Sequence, residues 1–164
     1  MIRRRLLLIL PLFLLVAGFK ETTMVKPKPD QPLDERAAQD ALPHSTNPLW
    51  GQLAKCAVKF DERTGMYSIG LTPDVKGLNG KSLDANGFVL PLDGSDETRH
   101  FLLTKRTPVC LFCPPGEPNE VIEVRSKKPI AWKEDLVTMK GRFTLVNDGE
   151  KGVFFALTDA SPTR

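Results

Sequence analysis

Ser82-Leu-Asp-Ala-Asn-Gly-Phe-Val-Leu-Pro-Leu92 is the stretch on which the fold turns. It reads as one long strand. Its apolar residues fall at Leu83 and Ala85, then at Phe88 and Leu90, so the alternation changes phase across Asn86-Gly87. A glycine at such a phase change marks a bulge that bends the strand. A second long run, 136–146, puts Val137, Met139, Gly141, Phe143 and Leu145 on one face at period two. It too carries an interior glycine. Long strands bent by glycine are what a small sheet needs to close on itself.

The neighbouring segments complete such a sheet. Runs at 56–60 and 66–71 flank Asp61-Glu-Arg-Thr-Gly65, a hairpin loop with glycine at its end. Asn79-Gly80, Asp93-Gly94 and Asn147-Asp-Gly149 are turn signals. Short strands are expected at 100–104, where Phe101 and Leu103 share a face, and at 121–124 and 153–157. Asn47 is a good N-cap and Pro48 a good first helical residue, and Leu49, Trp50 and Leu53 give one apolar face. A short helix over 48–55 follows, with Trp50 as a core anchor. The expected fold is therefore mainly all-β: a small OB-like barrel preceded by a short helix, with an open β-sandwich as the second choice. A barrel domain over 48–159 and a tail over 160–164 are expected, and roughly 110 ordered residues suffice for an independent core.

The N-terminus reads as an export leader. Met1-Ile-Arg-Arg-Arg5 is positively charged, and 6–18 is apolar with one interruption at Pro11. That run is shorter than the roughly 20 apolar residues a membrane span needs. Residues 1–19 are read as a signal peptide, or as an anchor if uncleaved, and the product as periplasmic. Leu15-Val-Ala-Gly-Phe19 resembles a bacterial lipoprotein signal, but Phe19 stands where the lipid-bearing cysteine belongs. Contact with a membrane is expected only through an uncleaved leader. Residues 20–47 carry Pro27, Pro29, Pro32 and Pro43 among polar residues and read as a flexible tether. Arg3, Arg4 and Arg5 account for the formal charge of +3, and without them 20 basic residues face 20 acidic ones. That balance argues against a nucleic-acid partner. The one short basic run, 125–128, reads as a solvated strand end.

Candidate chemistry sits in the loop from Thr107 to Val121, which holds Cys110, Cys113, four prolines and a glycine. The C-x-x-C pair supports three readings. Thiolates suit zinc or copper(I), with His100, Cys56, Glu117 or Glu120 as completing ligands. A redox dithiol would use Cys110 as nucleophile and Cys113 as resolving thiol, but Pro114 and Pro115 remove the helix that lowers the thiol pKa in thioredoxin-type motifs. In an exported protein the cysteines also tend to pair structurally, within the loop or to Cys56. Cys56 itself reads as a buried, inert thiol, and His100 as a surface residue unless the loop folds back over its strand. His44 lies in the tether. Residues 114–119 are preorganised by proline, which suits a recognition loop. Asp93, Asp96 and Glu97 lack calcium-loop spacing and read as a polar turn. The chain contains none of G-x-S-x-G, H-E-x-x-H, a phosphate-binding glycine loop or a dinucleotide fingerprint. No catalytic residue is assigned, and a non-enzymatic binding or accessory role is expected.

The order of segments resembles a domain-of-unknown-function family of exported bacterial proteins that includes predicted lipoproteins. The residues carrying the resemblance are Trp50 and Leu53, Leu78-Asn-Gly-Lys-Ser-Leu83, Gly87-Phe-Val-Leu-Pro91, Phe101-Leu-Leu103, Cys110-Leu-Phe-Cys-Pro-Pro-Gly-Glu-Pro-Asn119 and residues 121–124. The resemblance implies a small periplasmic β-domain. It also implies a partner, because some relatives are encoded beside an ABC-type export permease induced by zinc scarcity. It supplies no activity.

Overall fold

A computed structural model describes residues 39, 41–93, 95–109 and 116–163. The leader, the tether up to residue 38, Cys110 and Cys113 lie outside the described residues. Helix α1 (Pro48–Leu53) is followed by the hairpin β1 (Ala57–Asp61) and β2 (Met66–Gly70) and the short helix α2 (Pro73–Lys76). Strands β3 (Ser82–Pro91), β4 (Glu97–Thr104), β5 (Val121–Ala131), β6 (Val137–Asp148) and β7 (Val153–Thr163) form a closed barrel in the order β3-β4-β5-β7-β6. β5 and β7 pair in parallel, and every other neighbouring pair is antiparallel. This is the five-stranded Greek-key barrel of OB type expected from the two glycine-bent strands.

β3 closes the barrel by serving two partners in turn. Ser82 to Gly87 pair with β6, and Phe88 to Pro91 pair with β4. A Cβ at Gly87 would fall 2.5 Å from the Thr104 carbonyl oxygen and 2.9 Å from Leu103 Cγ. Only glycine allows the strands to approach this closely at the corner. The expected bulge at Asn86-Gly87 is absent, because both pairings run through in unbroken register. The expected phase change is absent too. Val89, not Phe88 or Leu90, continues the inner face from Ala85 into the main core, opposite Leu103. Phe88 and Leu90 are nonetheless buried, on the opposite face of the strand. Two buried faces look, in sequence, like a switch from one to the other. Gly141 is a second tight corner: a Cβ there would lie 2.8 Å from both Leu157 Cγ and the Thr158 carbonyl oxygen.

The corner in β3 also anchors what precedes the barrel. Asn47 caps α1 by accepting from the Leu49 amide, and Leu49, Trp50 and Leu53 turn to the core. Trp50 Nε1 donates to the Asn86 carbonyl at 2.7 Å. Ser45 Oγ donates to the same carbonyl at 2.7 Å, and the Asn86 amide donates to the Val137 carbonyl and Thr138 Oγ1. Residues 43–47, read from sequence as the end of the tether, therefore run along the barrel with Ser45 buried. The β1–β2 hairpin docks by a Tyr67 amide bond to the Gly149 carbonyl at the β6–β7 turn.

Three strands are longer than their apolar patterns. β4 begins at Glu97, β5 runs to Ala131 through the basic stretch, and β7 runs to Thr163 with Ala160 buried. Breaks in register between Thr98 and His100, between Val124 and Ser126, and between Lys140 and Arg142 disturb the alternation. We predict that Gly87→Ala lowers stability by about 1–3 kcal/mol through overpacking. Gly51→Ala, with nothing within 4 Å of the added methyl on an exposed helical position, should raise it by up to about 1 kcal/mol. Urea unfolding of the two variants checks both signs.

Candidate functional site

The loop that carries Cys110 and Cys113 leaves β4 at Thr104 and rejoins the barrel through a 3₁₀ turn, Pro118–Glu120, that opens directly into β5. Its two roots are joined through one carboxylate. Glu120 has a side chain only 8 % exposed. Arg106 Nε lies 3.2 Å from both of its oxygens, Lys105 Nζ is 3.4 Å from Oε1, and the Glu117 amide donates to Oε2 at 3.3 Å. The backbone adds two bonds, Lys105 N–H to the Glu120 carbonyl at 3.0 Å and Glu120 N–H to the Glu117 carbonyl at 2.7 Å. A carboxylate this buried costs free energy unless cations and amides satisfy it, and here both do. Gly116 stands over it at φ 148°, where an added Cβ would lie 3.0 Å from Glu120 Oε2.

The incoming chain braces the same roots. Ser45 N–H donates to the Lys105 carbonyl at 2.8 Å, Thr107 Oγ1 to the Pro43 carbonyl at 2.6 Å, and Gln39 Nε2 to the Thr107 carbonyl at 3.1 Å. His44 forms an isolated antiparallel bridge with Arg106. On the far side, Asn119 Nδ2 donates to the Cys56 carbonyl at 3.0 Å. The Glu120 clamp joins residues fourteen and fifteen apart in the chain, and no local pattern signals it. Its only sequence trace was Glu120 as a possible metal ligand, whereas in the fold it is an ion-pair centre.

Among the described residues the other candidates lie on separate elements. Cys56 is a free, buried thiol in the main core. His100 lies on the outer face of β4, since Phe101 and Leu103 point inward. It is four residues from the end of β4, or roughly 13 Å along the strand. Its Nε2 is 2.5 Å from Glu123 Oε1, and Arg125 reaches the same oxygen at 3.1 Å. Among the described residues no group of three or more His, Cys, Asp and Glu is placed to hold a metal ion. Asp93 makes a polar turn: it accepts from Ser95 Oγ at 2.6 Å and from Thr98 Oγ1 at 3.2 Å. The Ser95 hydroxyl, more than any other contact, holds its carboxyl below the usual aspartate range.

The family model for DUF3299, a protein family of unknown function, matches residues 23–151. The chain belongs to the DUF3299 family. The match takes in the segment ahead of the barrel and both loop roots, and ends before β7. A crystal structure of a DUF3299 family protein from Pseudomonas aeruginosa PAO1 is similar to it at 19 % identity over 84 % of this chain and 85 % of that one, with a TM-score of 0.48. No curated protein matches.

Two outcomes are expected for this DUF3299 chain. Glu120→Gln should cost roughly 1–3 kcal/mol in urea unfolding, because Arg106 loses its charged partner in a half-closed site. Asp93 has a lowered pKa, so its contribution to stability is present above about pH 4 and is lost as the pH falls through the folded-state value. Asp93→Asn should flatten the acid limb of the stability profile, as thermal melts between about pH 2 and pH 6 will show.

Proposed function

We propose that this protein is an exported, non-enzymatic accessory component of the bacterial envelope, working in the periplasm beside a transport system such as an ABC-type permease. In this reading the Cys110–Cys113 loop presents a partner-binding surface and is held in shape by a disulfide. The observation that carries it is the clamp at the loop's roots. Lys105, Arg106 and Glu120 fix both ends against the barrel, and proline fills the span between them. A recognition loop restrained in this way loses less entropy on binding. The leader pattern read over residues 1–19 supports the location.

The donor set favours the disulfide over a zinc or copper site. Three of the four residues that could complete a site with Cys110 and Cys113 are buried in the core or bonded elsewhere. Cys56 is buried in the core, Glu120 is held by two cations, and His100 is bonded to Glu123 well down the strand. The family resemblance to proteins encoded beside zinc-responsive permeases is what keeps metal handling as the second reading.

The test is a thiol and metal count on the exported product of the full gene, purified from the periplasm without added metal. One free thiol, from Cys56, and no metal is the expected result. Three free thiols with about one equivalent of zinc or copper would replace the disulfide with a metal site. A bridge whose reduction potential lies well below about −300 mV is structural, whereas one in the range of known oxidoreductases would make the protein a thiol–disulfide exchanger.

A further inference from the structure

We infer that a second site, separate from the cysteine loop, binds a phosphate-bearing anion in a cleft across β3, β5, β6 and β7. The cleft is about 420 Å³, and Lys127, Lys140 and Arg142 line it together with one carboxylate, Asp159. The chain as a whole is close to electrically neutral once its first residues are set aside. Among the described residues, three cations against one anion in a single depression is therefore a local concentration of charge. Among the described residues neither Lys140 nor Arg142 has an ion pair. Lys127 has only Asp159, at 4.0 Å with both side chains more than half exposed, a contact of little energetic weight.

The backbone beneath is unusual at the same place. Lys140 pairs with Ser161 and Arg142 with Thr158, so Asp159 and Ala160 together stand opposite Gly141. This bulge puts Asp159 in the left-handed region at φ 54°, alone among described residues other than glycine. Bulges and left-handed residues of this kind gather at sites that bind. Ser82 and Ser161 add hydroxyl donors to the lining, while the Thr163 hydroxyl donates to the Thr138 carbonyl at 3.3 Å. Two ammonium groups, a guanidinium fork and two hydroxyls match an acceptor with several oxygens and more than one negative charge, which is a phosphate. Among the described residues no aromatic side chain lines the cleft, so they offer no ring on which a base would stack. The ligand is a free phosphate compound or the headgroup of an anionic lipid.

The test titrates the full chain with sodium pyrophosphate by calorimetry at low and high salt. In parallel, its association with phosphatidylglycerol-containing vesicles is measured against phosphatidylcholine alone. Saturable, salt-sensitive binding of either probe is expected. It should weaken at least about tenfold in the double variant Lys140→Gln, Arg142→Gln. Asp159→Asn, which removes the opposing charge, should tighten it about threefold, an effect a merely structural carboxylate would not produce. Pyrophosphate binding assigns a soluble ligand, and vesicle binding alone assigns a headgroup. Failure of both probes, binding unchanged in the double variant, or weaker binding in Asp159→Asn would overturn the inference.

Discussion

The close approach of β3 to the end of β4 at Gly87 is the constraint on which the rest of this structure depends. A strand can belong to both edges of a closing sheet only if it turns a corner between partners. Here the corner brings the Thr104 carbonyl to where a side chain would otherwise stand. Asn86, its neighbour, then becomes a junction. Its carbonyl receives both Trp50 and Ser45, and its amide reaches β6. One dipeptide thus sets the closure of the barrel, seats the helix that precedes it and fixes the course of residues 43–47.

The roots of the cysteine loop are held by that arrangement. Because Ser45 is held at Asn86, its backbone is in place to bond Lys105, and Pro43 is in place to accept from Thr107. The first root of the cysteine loop is therefore braced by a segment sixty or more residues earlier in the chain. The second root is braced through Glu120, whose buried charge is tolerable only while Arg106 and Lys105 stay beside it. Such an arrangement gives register more than net stability. It makes the two ends of the loop a single rigid platform, which is what a presenting or disulfide-locked loop requires.

How much of this was legible in the sequence followed from how local each signal was. The β1–β2 hairpin, the capped helix at Asn47-Pro48 and the two glycine-bent strands are written in short patterns, and they led to the right barrel. β5 and β7 were read short because their second halves, Arg125 to Ala131 and Thr158 to Thr163, are polar or carry proline and cross register breaks that erase period two. Phe88 and Leu90 misled because a strand buried on both faces has no alternation to read. α2 escaped notice although Thr72 caps it and Pro73 begins it, since four residues are too few to show a period. The Glu120 clamp and the cationic cleft assemble from distant segments, so no spacing rule reaches them, and membership of DUF3299 names a family without naming a reaction.

The account rests on the claim that the loop's roots are as firmly held as the barrel itself. Native-state hydrogen exchange on the full chain tests this directly at the amides of Ser45, Lys105 and Glu120. These amides should exchange as slowly as those in the middle of β4 and β6, opening only with global unfolding. Exchange at the rate of exposed turn amides, while the strands stay protected, would show that the roots open independently and would contradict the account.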